Sequence, residues 1–335
     1  MCVVSRCVRR QVLVYVVLGG CGFRSSGAAN DASLLDASLL DGGSEGSLDA
    51  ATDAMPPATC WQRWLDHSVA LQPPIALTAL ATAGSERDPW ISEDGLRLYF
   101  ARQAAAGTAD VVLATRAASN DPFTTAAKLE GLSLTDRDEG RVSLTRDELV
   151  ISVSANLGGT SPFDIRIATR TSRTQPFTAP LLDHLAAVNT ASTQHFDPFL
   201  SGDGLRLYLA PLPNGGTQHI ALASRAAIGS DFTSAALLSV VNTTEAAAAD
   251  ADPALSPDER VLLFSSNRAG GAGGTDLYYA TRASAGQPFT APTPIPVVNT
   301  SFADSDPMLT TDGCTLYFSS RRTGNLDLFT STLVP

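Results

Sequence analysis

From about residue 85 onward, apolar and polar residues alternate in short runs separated by Gly-, Pro-, Asp- and Ser-rich breaks. Alternation with period two predicts half-buried β-strands, and Asp-Gly between two such runs predicts a hairpin. One pattern recurs five times: ISEDGLRLYFAR from Ile91, LTRDELVISVS from Leu144, LSGDGLRLYLA from Leu200, LSPDERVLLFSS from Leu255 and LTTDGCTLYFSS from Leu309. The turn aspartates Asp94, Asp147, Asp203, Asp258 and Asp312 are 53, 56, 55 and 54 residues apart. Two copies carry Glu148 or Glu259 where the others have Gly, so those turns must tolerate a positive φ or take another form. Downstream of each hairpin a polar loop leads to a third strand such as DLYYATR. A Phe then follows the strand-ending Arg at a fixed spacing: Arg116/Phe123, Arg170/Phe177, Arg225/Phe232 and Arg282/Phe289. The arginines are expected to cap strand ends or brace neighbouring blades, and the phenylalanines to be core.

Each copy thus predicts four short antiparallel strands, which cannot bury both faces alone. Radial stacking gives every face a neighbour and leaves only short edges. The fifth copy ends without its fourth strand, while a strand-like stretch, LQPPIALTALATAGSERDP, precedes the first. The expected fold is therefore all-β: a single five-bladed β-propeller of four-stranded antiparallel blades, closed by an N-terminal strand. Its repeats lie near 85–137, 138–193, 194–248, 249–302 and 303–335, with the closing strand in 69–84 and the whole body in 59–335.

The residues that define the repeat resemble the TolB-type, WD40-like β-propeller repeat: an Asp before the inner strand, Ser-Pro-Asp-Gly, an apolar strand running into Ser-Ser-Asn-Arg, two glycines, then Asp-Leu-Tyr. The fourth copy follows it through Asp252, Leu255-Ser256-Pro257-Asp258, Leu263–Arg268, Gly270-Gly271 and Asp276-Leu277-Tyr278. The second copy departs most, with Arg141 in place of the leading Asp. The resemblance implies architecture and leaves function open, because this fold hosts unrelated roles.

The first 58 residues read differently. Arg6, Arg9 and Arg10 precede an apolar run from Val12 to Gly20, too short to span a bilayer in a helix but suited to a signal peptide. The run ends in Leu18-Gly19-Gly20-Cys21, which resembles a bacterial lipobox. The resemblance implies removal of 1–20 and lipidation of Cys21. Residues 21–58 are rich in Ala, Ser, Gly and acids, repeat Ala-Ser-Leu-Leu-Asp in tandem, and read as an acidic linker. The expected location is the cell envelope, with the lipid as the one membrane contact.

Composition narrows the function. The net charge of −11 makes a nucleic-acid partner a poor fit. The histidines His67, His184, His195 and His219 form no metalloprotease motif, and no Gly-x-Ser-x-Gly elbow is present. Five-bladed propellers include glycosidases that use carboxylates of different blades. Here, however, carboxylates recur at the same repeat position, which fits a structural role better. Arg102 with Asp110, Arg268 with Asp276, and Arg321 or Arg322 with Asp327 are expected to pair across hairpins. Two positions precede each inner strand: Glu86/Asp88, Glu139/Arg141, His195/Asp197, Asp250/Asp252 and Asp304/Asp306. Inner strands begin around a propeller's channel mouth, so Glu86, Asp88, Asp250, Asp252, Asp304 and Asp306 are a candidate site for a cation, Ca²⁺ by its oxygen ligands, or for a basic partner segment. His195 breaks the series in the third copy, which shifts such a site toward copies four, five and one. Cys60 and Cys314 are an even pair in an exported chain and are expected to form a disulfide. The resulting expectation is a monomeric, non-enzymatic binding or scaffold module for another cell-envelope protein. A carbohydrate or envelope polymer is the alternative ligand, with glycosidase activity less favoured still.

Overall fold

A computed structural model describes residues 59–104, 107–132, 138–156 and 162–335. The signal segment, Cys21 and the linker lie outside the described residues. The strands form five antiparallel sheets. Blade 1 contains Ser85–Ile91, Arg97–Gln103, Ala109–Thr115 and Thr125–Lys128. Blade 2 contains Glu139–Leu144, Val150–Ala155 and Asp164–Thr169, with its outer strand reduced to one bridge between Ile167 and Leu181. Blade 3 contains Thr193–Leu200, Arg206–Pro213, Ala221–Ser224 and Ala236–Leu237. Blade 4 contains Asp250–Leu255, Val261–Ser266, Asp276–Thr281 and Thr293–Pro294. Blade 5 contains Asp304–Leu309, Thr315–Ser320 and Asp327–Thr332, completed by Ile75–Ala76 from the N-terminal side. Each inner strand packs against the next, and the fifth against the first, so the ring is closed.

Closure joins distant parts of the chain. Ile75 pairs with Thr330 and Ala76 with Phe329, while Leu71 bridges Leu333. A short helix, Cys60–Leu65, precedes this strand, and the sequence reading does not anticipate it. The helix is capped by Thr59, whose side chain accepts from the Gln62 N–H. It docks on the last blade: Trp64 is fully buried and donates to the Gly313 carbonyl at 2.9 Å, and Trp61 donates to the Thr311 carbonyl at 2.8 Å. Cys60 and Cys314 form a disulfide beside these contacts, with their Cα atoms 5.1 Å apart. Among the described residues no helix is long and apolar enough to cross a membrane.

The repeated residues hold blades together. In every hairpin a Ser or Thr hydroxyl donates to the turn Asp, as in Ser92 to Asp94 at 2.7 Å and Thr310 to Asp312 at 2.6 Å. Glu148 and Glu259 keep the turn of their Gly counterparts, at φ 61° and 57° against 69° for Gly95. The strand-ending arginines stack on the repeated phenylalanines, as in Arg170 on Phe177 at 4.3 Å. Each donates from Nε to a turn carbonyl, of Gly95, Glu148, Gly204 or Glu259. Three of them reach a Tyr hydroxyl on the preceding blade: Arg116 to Tyr317, Arg170 to Tyr99 and Arg282 to Tyr208.

The expected pairs across hairpins are not formed. Arg102 binds Glu86 at 3.0 Å, Arg268 binds Asp250, and Arg322 binds Asp304 at 2.7 Å. Asp110 pairs with Lys128, Asp276 accepts from the Gly273 N–H, and Asp327 accepts from Thr323. Arg102 faces both candidates, since Glu86 and Asp110 flank it in the sheet. Glu86 is fully buried and Asp110 is not, and leaving the buried charge without a cation is the costlier choice.

Candidate functional site

Each inner strand places two polar residues near its start, and the structure gives them opposite tasks. The first residue points into the protein and ties down the loop from the previous blade. Glu86 accepts from the Thr82 N–H at 3.1 Å and its hydroxyl at 2.7 Å. Asp304 does the same with Thr300, at 2.7 and 2.8 Å. Asp250 accepts from the Thr243 N–H and Ser266 Oγ, both at 2.7 Å, and lies 3.2 Å from His219 Nδ1. The paired arginines also donate to loop carbonyls, of Leu80, Val241 and Val298. Glu86, Asp250 and Asp304 are thus consumed by inter-blade hydrogen bonds and do not belong to the channel cluster. His195 is buried as well, 3.6 Å from Asp164.

The second residue faces the axis because the strand bulges there. Register shifts between Arg87 and Trp90, Gly140 and Ser143, Ala251 and Ala254, and Ser305 and Met308. Blade 3 shifts opposite Tyr208 and Ala210. At the bulge Asp88, Arg141, Asp197, Asp252 and Asp306 all adopt the left-handed conformation, with φ between 51° and 57°. A non-Gly residue there costs about 1–2 kcal/mol, so the ring is held by its surroundings. Pro89, Pro198, Pro253 and Pro307 follow four of the five, a position where the interrupted ladder tolerates the missing N–H.

These five residues and the adjoining Pro and Val side chains line a waist of about 40 Å³. Arg141 neutralises one side. Its Nε lies 2.5 Å from Asp197, its backbone N–H donates to Asp88 at 3.0 Å, and its guanidinium stacks on Phe196 at 4.5 Å. The other three carboxylates, Asp88, Asp252 and Asp306, each present an oxygen within 4.8 Å of the others. Arg87 approaches Asp88 at 3.6 Å. Ser265 donates to Asp252 and Ser305 to Asp306. Ser319, fully buried, influences Asp306 yet makes no aligned hydrogen bond.

Burial, reinforced by neighbouring carboxylates, pushes Asp88 and Asp252 up to about 7. Burial likewise pushes Asp306 up to about 6, with Asp252 adding to it, and Asp197 to about 6 against the pull of Arg141. Asp252 and Asp306 keep some solvent contact although they lie deep in the ring, which tempers the desolvation. The asymmetry toward blades four, five and one comes from Arg141 in blade 2, which removes Asp197 from the cluster. His195 does not reach the ring.

Two wider spaces share residues with the waist. A polar mouth of about 260 Å³ includes all five ring residues together with Gln218, Ser265 and Asn267. A funnel of about 370 Å³ shares Trp90, Phe199 and Met308 with the waist, continues over Leu144, Leu255 and Leu309, and also takes in the ion-paired Glu93, Arg146, Asp203, Arg206 and Glu259. The sequence reading missed the funnel. Its signal was an apolar residue two positions after each channel Asp: Trp90, Phe199, Ala254 and Met308.

No protein-family model matches the chain, and no curated protein does. Solved structures do. A glycoside hydrolase superposes with TM-score 0.59 at 9% identity, over 82% of this chain and 95% of that one. What is shared is the fold. TolB from Acinetobacter baumannii aligns with TM-score 0.44 at 14% identity, over 76% of this chain. The match spans 55% of that TolB, so the chain corresponds to about half of it. A protein of unknown function from Dyadobacter fermentans aligns at 10% identity with TM-score 0.49.

Proposed function

We propose that this chain is an exported, lipid-anchored binding scaffold of the cell envelope, acting on protein partners, and that its channel waist holds a cation rather than hydrolysing a glycoside. The observation behind this reading is the convergence of Asp88, Asp252 and Asp306 on a space of about 40 Å³. One water occupies about 30 Å³ in the liquid, whereas small-molecule pockets begin at roughly 300 Å³. A waist of this size suits an ion and excludes a sugar ring between the carboxylates. Trp90 is only 6% exposed and meets Tyr99 edge-on, so it offers no open face for stacking a sugar.

Four ring carboxyls face Arg141 and Arg87, so with the protons that burial retains displaced, the excess of two negative charges is what one divalent cation would balance. Carboxylate and hydroxyl oxygens without nitrogen or sulfur suit Ca²⁺ over Zn²⁺. Calorimetry on the full chain with CaCl₂, paired with melting in Ca²⁺ or chelator, tests the reading. Binding heat and a raised Tm are expected, both lost in Asp252→Asn. Absence of both effects, or hydrolysis of aryl glycosides that Asp252→Asn abolishes, would overturn it.

A further inference from the structure

The axial channel has opposite chemistries on its two sides. On one side of the waist lies the polar mouth, and on the other the funnel, whose apolar floor is Trp90, Phe199 and Met308. Phe199 and Met308 are half-buried, so part of their surface is free to contact a ligand. The same strands build both features. A bulge residue sends a carboxylate to the axis, and two positions later blades 1, 3 and 5 send a large apolar side chain toward the funnel.

The funnel is apolar next to the waist, its two arginines, Arg146 and Arg206, are paired with Glu93, Asp203 and Glu259, and it ends on the acidic ring, so it is complementary to a cation on an aliphatic stem. Anionic ligands are disfavoured at the waist, where four carboxyls face two guanidiniums. A guanidinium is planar and broad, whereas an ammonium is a compact charge close to water in size. The volume of about 40 Å³ therefore favours an ammonium. Approach past the half-buried Phe199 adds attraction of the cation to an aromatic face, and the methylene stem is the part of a lysine that packs on apolar surface. Ser319 Oγ, fully buried and near enough to Asp306 to stabilise its charged form, has no aligned hydrogen-bond partner and is a further polar group beside this carboxylate.

We propose that the funnel receives a lysine side chain of a partner protein, with the stem against Phe199 and Met308 and the ammonium at Asp88, Asp252 and Asp306. This rests on the waist being a cation site, and it names the group that a protein partner would insert. The lysine and a metal ion then compete for the same three carboxylates, approached from the funnel in the first case.

Calorimetry on the full chain with n-butylammonium, ammonium, 1-butanol and Nα-acetyl-lysine N-methylamide tests this. The expected result is that n-butylammonium and the lysine amide bind about equally, each at least tenfold tighter than ammonium or butanol. Phe199→Ala should weaken n-butylammonium about tenfold and leave Ca²⁺ affinity unchanged, while Asp252→Asn should weaken both. Equal binding of butanol would reduce the funnel to a generic apolar pocket, and equal binding of ammonium would remove the stem from the argument. Binding of n-butylammonium without the lysine amide would make the occupant a small amine and refute protein docking. Ca²⁺ binding with no amine binding overturns this inference alone. Amine binding without Ca²⁺ overturns the metal reading and leaves this one standing.

Discussion

Replacing Glu259 with glycine sets two effects of opposite sign against each other. Glycine is what blades 1, 3 and 5 carry at this turn, as Gly95, Gly204 and Gly313, and it relieves a left-handed φ of 57°. That relief is worth about 1–2 kcal/mol. Against it stands a buried ionic network. Glu259 is 4% exposed and accepts from Arg206 Nε at 2.6 Å, the Tyr208 hydroxyl at 2.9 Å and Arg282 Nη2 at 3.1 Å. Arg206 is partly exposed and retains Asp203 at 3.2 Å, so it tolerates the loss. The Arg282 side chain is only 4% exposed and would keep a Tyr hydroxyl and a backbone carbonyl but no counter-charge. Removing one partner of a buried pair costs about 3–5 kcal/mol. The network wins, and Glu259→Gly should destabilise the protein by about 1–4 kcal/mol once strain relief is subtracted. Urea unfolding followed by tryptophan fluorescence and far-UV circular dichroism measures it, with Tyr208→Phe as a milder comparator near about 1 kcal/mol. If Glu259→Gly were neutral or stabilising, backbone strain would outweigh the ion pair and the blade-bracing argument would fail.

Further outcomes are expected. Cys60→Ala with Cys314→Ala should lower stability by about 2–4 kcal/mol, since the crosslink spans a loop long enough for the largest entropic effect. An unchanged urea midpoint would show that the strand pairing of Ile75–Ala76 closes the ring unaided. In chelator, the raised carboxyls mean that the folded chain keeps protons longer than the unfolded one, whose aspartates titrate near 3.8. Their contribution is full at acid pH and is lost as pH rises from about 4 to about 7, so Asp252→Asn should gain stability relative to wild type across that interval. A wild-type-to-variant difference independent of pH would contradict this. Mass spectrometry of the membrane fraction should find an acylated Cys21, and Cys21→Ser should move the protein to the soluble fraction. An unacylated N-terminus or unchanged partitioning would remove the anchor.

The architecture was legible because the repeat is periodic in both pattern and turn chemistry. Five Asp turns, a missing last strand and a spare first one leave little freedom in counting blades. Side-chain partners were less legible. Arg102 sits between two carboxylates in the sheet, and only burial, which sequence spacing does not encode, selects Glu86 over Asp110. The channel cluster was half legible for a related reason. Two acids two residues apart share a strand face, so both were placed at the axis, but the bulge between them reverses the second and separates their roles. One signal was present and missed. Arg97 and Arg206 occur three residues after the turn Asp in blades 1 and 3, and Glu148 and Glu259 occur in the turns of blades 2 and 4 that pack against them.

A perfect repeat would have placed five aspartates around the axis. Carboxylates about 5 Å apart repel by roughly 3 kcal/mol per pair at an effective dielectric near 20, so five uncompensated charges would oppose the ring they line. The chain departs from the repeat at one ring position, Arg141, and the consequence spreads. Arg141 occupies Asp197, touches Asp88 through its backbone, and leaves the remaining carboxylates grouped rather than evenly spaced. Even spacing would give a diffuse negative ring without a defined receptor. Grouping gives three oxygens within 4.8 Å of one another, with two guanidiniums limiting the excess charge. The substitution that makes blade 2 the poorest copy of the repeat is therefore what concentrates the site. Arg141→Asp should restore the symmetry of the sequence and, by that reasoning, cost the protein both stability and the selectivity of its axial site.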